Sequence, residues 1–407
     1  MDIGTVLHAM RDPAGIPSHP VIFQVLMIVT WIFHIAFVHM TLGTAAFAIY
    51  AFYKRAPGTH WEQLSMAMTK AAKVGVSLLI VLGVAPLLFT QVIYDPQWYT
   101  ASVLSARWLI AFIFTLIIGY CSWFVFYYSN HEGAKKRLGV FALVGLGLFL
   151  LDGLIMHVLA YQSLLPDQWM NWYAPGGVVD SRGATLHAIQ WPRYLFIISL
   201  SLPALGLYLM AYADYFRGRP DRAPEYLAFA RSLGHRLAVR GLVISFVLLL
   251  AWQFVHPAST RLSWHPVGWA LGALLLALAW WVQRRGLQVH GYQPMLAGLG
   301  VLGVLAVWRE LIRIRYMLPF GYDITDYTVH ADWPSMVLFF STFIGVGGLV
   351  GGFFLTTIYR AGRVQGLYTA ERGVARLGTA AVVVLGVWIT VFFAYGITIW
   401  MRNAFTL

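Results

Sequence analysis

The chain has 407 residues, of which 59% are hydrophobic and only 11% charged; soluble domains carry roughly a quarter charged residues, so an ordinary soluble domain is excluded. The single cysteine, Cys121, rules out an intrachain disulfide, a Cys-ligated iron–sulfur cluster and the C-x-x-C-H attachment of c-type haem. The net charge of +12 does not point to nucleic acid, because the basic residues sit on short connections between apolar runs and no recognition fold is legible.

Ten apolar runs are long enough to cross about 30 Å of hydrocarbon as helices. They fall at 21–53, 71–94, 103–128, 137–162, 187–215, 236–256, 265–283, 293–317, 334–360 and 373–401. The predicted fold class is therefore all-α: a polytopic membrane bundle without strands, since an open sheet cannot satisfy its backbone in lipid. The connections after the first, third, fifth, seventh and ninth runs hold most of the Lys and Arg, including Lys54, Arg55, Lys135, Lys136, Arg217, Arg284 and Arg363. By the positive-inside rule both termini face outward, which suits a multi-pass protein of a bacterial inner membrane. Residues 1–19 lack a basic segment followed by an apolar core and cleavage site, and are expected to form an outer-surface arm.

The first run contains His34-Ile35-Ala36-Phe37-Val38-His39-Met40-Thr41-Leu42-Gly43. His34 lies roughly 20 Å along a helix rising about 1.5 Å per residue, where a polar side chain must be paired or metal-bound. Together with Met68-Thr69-Lys70 and Gly83-Val84-Ala85 of the second run, this string resembles the first two membrane helices of subunit I of cytochrome bd quinol oxidases. The resemblance covers about residues 20–360 and implies a bd subunit I-like bundle in which His34 binds a haem iron. His39 points about 140° away from His34 and has no family counterpart, so a hydrogen bond to a neighbouring helix is its expected role.

On the third run, the resemblance puts Arg107 and Thr115 where the oxidases carry two glutamates that serve the oxygen-reducing region and deliver protons. Neither residue is a carboxylate relay, and Arg is permanently charged. Asp152 is the lone carboxylate of the fourth run and has no assigned role, and His157 at that run's outer end is a weaker ligand candidate. The connection 163–186, with Trp169, Trp172, Pro175, Gly176 and Gly177, reads as a surface lid or an aromatic belt.

His187 opens the fifth run and His265 the seventh, both from the outer side. Imidazoles of helices entering at one face suit a haem held between helices; interface residues bonding water is the alternative. The resemblance implies a histidine matching His187 and a methionine on the seventh helix as ligands of a low-spin b haem. Gly268 stands at the methionine's position, and His265 lies about one turn earlier, so a His/His pair is the expected replacement. Between the sixth and seventh runs only His256 to Trp264 intervene, so the long quinol-oxidising loop of the oxidases is missing; His256 joins the weaker ligand candidates.

The eighth run ends in Arg309, Glu310, Arg313 and Arg315. Arg313 and Arg315 are candidate partners of haem propionates, and a Glu310–Arg313 pair at the helix end is the alternative. Asp323, Asp326, His330 and Asp332 follow in the next connection, where they offer groups for a cation or a haem. The expected division is an arm at 1–19, a bd-like domain at 20–360, and an inner loop with an additional helix at 361–407 suited to packing on a partner subunit.

Three functions follow from these residues. The first is a b-type cytochrome subunit carrying one or two haems, with His34, His187 and His265 at iron. It would pass electrons between the quinone pool, or a second subunit I-like chain, and a periplasmic c-type cytochrome or iron–sulfur protein. The second is a bd-type terminal oxidase subunit with an altered oxygen site, and the third a haem-free membrane scaffold of a respiratory complex.

Overall fold

A computed structural model describes residues 2–405. The helices, in chain order, are α1 (Ile3–Ala9), α2 (Pro20–Lys54), α3 (His60–Ile93), α4 (Asp95–Leu104), α5 (Ala106–Ser129), α6 (Gly139–Gln162), α7 (Trp169–Tyr173) and α8 (Trp191–Ser199). There follow α9 (Ser201–Tyr215), α10 (Pro224–Gln253), α11 (Pro266–Arg285), α12 (Tyr292–Met317), α13 (Trp333–Phe340), α14 (Gly347–Ala361) and α15 (Arg372–Phe405). Apart from one isolated bridge between Ile16 and Val329, no strand pairing occurs among the described residues. The described helices include ten spans long and apolar enough to cross a membrane, with α8 and α9 forming one and α13 and α14 another.

Local sequence explains where the helices begin. Pro20, Pro224 and Pro266 each occupy a first helical position, where the missing N–H has no helical partner to lose. The polarity of the surface is inverted relative to a soluble bundle. On α5, Ile110, Ile113, Phe114, Ile117 and Ile118 recur at three- and four-residue spacing and are exposed, while Gly119, Trp123 and Phe126 are buried. An apolar stripe left outward is at home in hydrocarbon and costly in water.

The chain divides into two units. The first comprises residues 1–15, 19–214 and 224–328. In it α2 packs along α3, α5 along α6, and α10 against α8 and α11. Close packing of α9 on α10 depends on glycine: a Cβ at Gly234 would lie 2.6 Å from the Gly206 carbonyl oxygen. The second unit comprises 16–18, 215–223 and 329–407. There Trp388 Nε1 donates to Thr342 Oγ1 at 2.6 Å, and Arg360 pairs with Glu371 across the turn from α14 to α15. A π-helical stretch, Ser341–Val346, joins α13 to α14.

Within the second unit α14 packs along α15. The helix boundaries correct two expectations. The run 103–128 is not one helix: the backbone breaks at Ser105, whose hydroxyl donates to the Thr185 carbonyl at 2.7 Å. The fifth span starts at Trp191 rather than at His187, since residues 178–190 are non-helical, with a turn at 181–182, and lie beside the α4–α5 break, where Arg107 N donates to Gly183 O at 3.0 Å.

Candidate functional site

Helix α2 presents His34 to α3. Its Nδ1 lies 3.0 Å from the Leu79 carbonyl oxygen. A carbonyl can only accept, so Nδ1 carries the proton and Nε2 keeps its lone pair. Nε2 has no hydrogen-bond partner among the described residues. The ring rests on Gly83, where a Cβ would come within 2.8 Å of Cε1. This is the arrangement of a metal-ligating imidazole: one nitrogen anchored to a backbone carbonyl, the other available. His39 differs. It is fully buried and its Nδ1 meets Ser201 Oγ of α9 at 3.2 Å, the interhelical hydrogen bond its position led us to expect.

The third-run residues occupy different environments from those expected of them. Arg107 is exposed at the second position of α5, at the end of the span. Thr115 donates to Asp152 Oδ1 of α6 at 2.5 Å. A carboxylate therefore stands beside the Thr115 position, supplied by the neighbouring helix, and its second oxygen is buried without a partner among the described residues.

The four remaining ligand candidates, His157, His187, His256 and His265, sit on separate supports. His187 stacks on Trp172 of α7, with ring centroids 5.2 Å apart and planes 13° from parallel, and its backbone N–H donates to Gln162 Oε1 at 2.8 Å. His265 is the N-cap of α11: its Nδ1 accepts from Val267 N at 3.3 Å, and its ring packs on Trp308 of α12. Accepting at Nδ1 puts the proton of a neutral ring on Nε2, the tautomer that cannot offer Nε2 to iron. His157 and His256 are buried with Nε2 unpartnered among the described residues, the latter with Nδ1 3.3 Å from Tyr316 OH.

The charged residues of α12 assemble a buried polar centre. Glu310 Oε1 accepts from Tyr94 OH at 2.6 Å and from Gln24 Nε2 at 2.9 Å, while Arg313 Nη1 donates to its Oε2 at 2.8 Å. The Glu310–Arg313 pair read from the sequence thus forms, and Arg313 also stacks over Tyr94. Arg315 is half-buried, and Arg309 stacks on Trp31 of α2. Arg193, from the start of α8, joins Arg309 and Arg313 around a small cavity of about 20 Å³ between α6, α8, α10 and α12. Sequence reasoning passed over Arg193, although an arginine three residues into an apolar run is the kind of residue that marks a site.

The acidic connection after α12 is built from caps rather than ligands. Asp323 Oδ1 accepts from Thr325 N at 2.8 Å, Asp332 Oδ1 accepts from Ser335 N at 3.1 Å, and Asp326 lies 3.8 Å from His8 and 3.9 Å from Arg11. No cluster of three or more His, Cys, Asp or Glu fit to hold a metal ion occurs among the described residues. His330 is tied by its backbone to Ile16 in the second unit. The arm is helical and docked: Arg11 stacks on Tyr322 and Tyr327, and Asp12 N donates to Asp95 at 2.9 Å.

No protein-family model matches the chain, and no curated protein is similar to it in sequence. Among solved structures, a chain of the bd oxidase from Geobacillus thermodenitrificans superposes with a TM-score of 0.58 at 14% identity, covering 84% of this chain and 99% of that one. The all-α membrane bundle of this protein therefore has a bd oxidase-like fold.

Proposed function

We propose that the chain is an electron-transfer subunit of a respiratory membrane complex, holding b-type haem and passing electrons between the quinone pool, or a partner subunit, and a periplasmic redox protein. The observation that carries this reading is His34: an imidazole far inside a membrane span, anchored through Nδ1 to Leu79 and unpartnered at Nε2. That donor fits an iron, and when bound the haem supplies one-electron redox chemistry. His34 would hold the metal, while Leu79 and Gly83 fix its tautomer and ring position. The bd oxidase-like fold and the sequence resemblance of the His34 string to haem-binding subunits point the same way.

A second haem on His187 and His265, with Arg313 and Arg315 toward its propionates, requires the His265 ring to leave its cap on α11. The asymmetric distribution of Lys and Arg supports an inner-membrane protein with both termini outward. A second subunit I-like chain and a c-type cytochrome or iron–sulfur protein are the partners that this role calls for. The test is a dithionite-reduced minus oxidised spectrum of the purified chain with a pyridine haemochrome assay. A b-type spectrum with at least one haem per chain is expected; a haem-free chain that still assembles with its partners would establish the scaffold instead.

One observation favours a second reading, a terminal oxidase subunit with an altered oxygen site. Asp152 supplies a carboxylate beside Thr115, where the resemblance had suggested that none remained. Oxygen uptake by the isolated chain with a short-chain quinol separates the two readings: the electron-transfer subunit shows no sustained turnover.

A further inference from the structure

The second unit collects positive charge at one end. Its segments 215–223 and 360–376 hold seven arginines and two acids, Asp221 and Glu371. The segments are tied together: Arg219 Nη1 donates to the Gly362 carbonyl at 2.6 Å, and Tyr215 OH donates to the Tyr359 carbonyl at 3.0 Å. Both acids are already engaged. Asp221 pairs with Arg219 at 2.5 Å and lies 3.8 Å from Arg222, and Glu371 pairs with Arg360. Arg372 and Arg376, about one turn apart on α15, are exposed and have no acidic partner among the described residues.

These two arginines stand at the head of an open groove of about 620 Å³ along α15, within the range of about 300–1,000 Å³ of ligand sites. Its floor is Ala375, Thr379 and Ala380, with Val383 further along. Thr379 Oγ1 donates to the Ala375 carbonyl of its own helix at 3.2 Å, so the floor below the arginines is apolar. The side of α15 that meets α14 is a different one: Gly378 lies against the Phe353 ring, and Val374 and Ala381 are buried.

The bilayer sets the depth of each part. At about 1.5 Å per residue, Arg376 and Arg402 are about 39 Å apart along α15, close to the roughly 40–45 Å of a bilayer with its headgroups. Arg376 then lies at the level of the lipid phosphates, and Val383 about 10 Å deeper, among the acyl chains. A groove with a basic head and an apolar floor at those depths matches a molecule that carries an anion and a hydrocarbon chain at the same spacing. A partner helix would leave both guanidiniums unpaired unless it carried acids opposite them.

We infer that this face of α15 is a binding site for an anionic phospholipid, its phosphate held by Arg372 and Arg376 and one acyl chain lying along Ala380 and Val383. Guanidiniums pair phosphate oxygens bidentately, and a basic cluster at the end of a membrane helix attracts anionic lipid. The site stands on the second unit alone and not on the haem reading above.

The purified full chain in phosphatidylcholine nanodiscs, with or without a minor share of phosphatidylglycerol, tests it by native mass spectrometry of retained lipid and by thermal unfolding. The wild-type chain is expected to retain phosphatidylglycerol in preference to phosphatidylcholine and to melt several degrees higher in its presence. Arg372→Gln/Arg376→Gln should lower that retention about tenfold or more. Lys135→Gln/Lys136→Gln removes the same charge from the connection between α5 and α6 and should change it by less than about twofold, since charges beyond a Debye length are screened. Ala380→Phe fills the groove without altering charge and should also release the lipid. If the double arginine variant fails to fold, Ala380→Phe and the comparison of the two lipids on the wild-type chain decide. The proposal is overturned if both lipids are retained and stabilise alike, if the lysine variant loses as much as the arginine variant, or if Ala380→Phe leaves retention unchanged. A photo-cross-linker at position 380 that captures a second copy of the chain instead of lipid would seat a protein in the groove and overturn it as well.

Discussion

Thr115 Oγ1 of α5 donates to Asp152 Oδ1 of α6 at 2.5 Å, joining two membrane spans by a carboxylate whose other oxygen has no partner among the described residues. The pair makes an energetic prediction. Thr115→Val leaves the Asp152 carboxyl unsatisfied and should destabilise the chain by about 1–3 kcal/mol. The double variant Thr115→Val/Asp152→Leu removes both partners and should restore most of that loss. Thermal unfolding in detergent measures both; a double variant no more stable than the single one would show that Asp152 has further partners.

The same pair bears on oxygen. The electron-transfer reading expects the reduced chain to show no sustained quinol-driven oxygen uptake, with or without Asp152→Asn. Cyanide-resistant uptake that disappears in both Asp152→Asn and His34→Ala would make the chain an oxidase whose proton carrier has moved from the third span to the fourth.

At His34, ligation and packing can be separated. His34→Ala should lose one b-type haem equivalent in the haemochrome assay. Gly83→Ala leaves the imidazole in place but puts a methyl 2.8 Å from its Cε1. The ring must then shift off the Leu79 carbonyl, at a cost of about 1–3 kcal/mol for overpacking, with lowered haem retention. Unchanged haem content in both variants would rule out His34 as a ligand.

His265 has a role that requires no metal. As the N-cap of α11 its loss in His265→Ala should cost about 1 kcal/mol, and Asn at that position should retain the cap. Retention of haem in His265→Asn would leave capping as its function. Loss of one haem equivalent in both His187→Ala and His265→Asn would establish the axial pair instead.

Acid should tighten the docking of the arm. Burial raises the Asp95 pKa above its ordinary value of 3.8, more than its bonds from Tyr327 and Asp12 lower it. A carboxyl with a raised folded-state pKa contributes stability that is fully present below the unfolded value and is lost as pH rises through the folded value. Protease cleavage within residues 1–15 should therefore slow as pH falls from neutrality toward 4, and Asp95→Asn should flatten the dependence. A wild-type profile that is flat, or that runs the other way, would show that the ionised carboxylate is the form that holds the arm.

Apolar run length was enough to define an all-α membrane protein with ten spans, because hydrocarbon thickness acts on sequence directly. The bd-like fold was legible for a narrower reason, the His34 string and the order of the helices. Which polar groups meet was not legible. Asp152 serves Thr115 from 37 residues away. Arg193 joins Arg309 and Arg313 only because α8 and α12 converge on one cavity. His187 and His265 share a nominal depth, but one stacks on Trp172 and the other caps α11. Periodicity fixes the face of a helix on which a residue lies. Which helix that face meets is decided by close approaches such as Gly206 on Gly234, and those exist only once the whole bundle has packed.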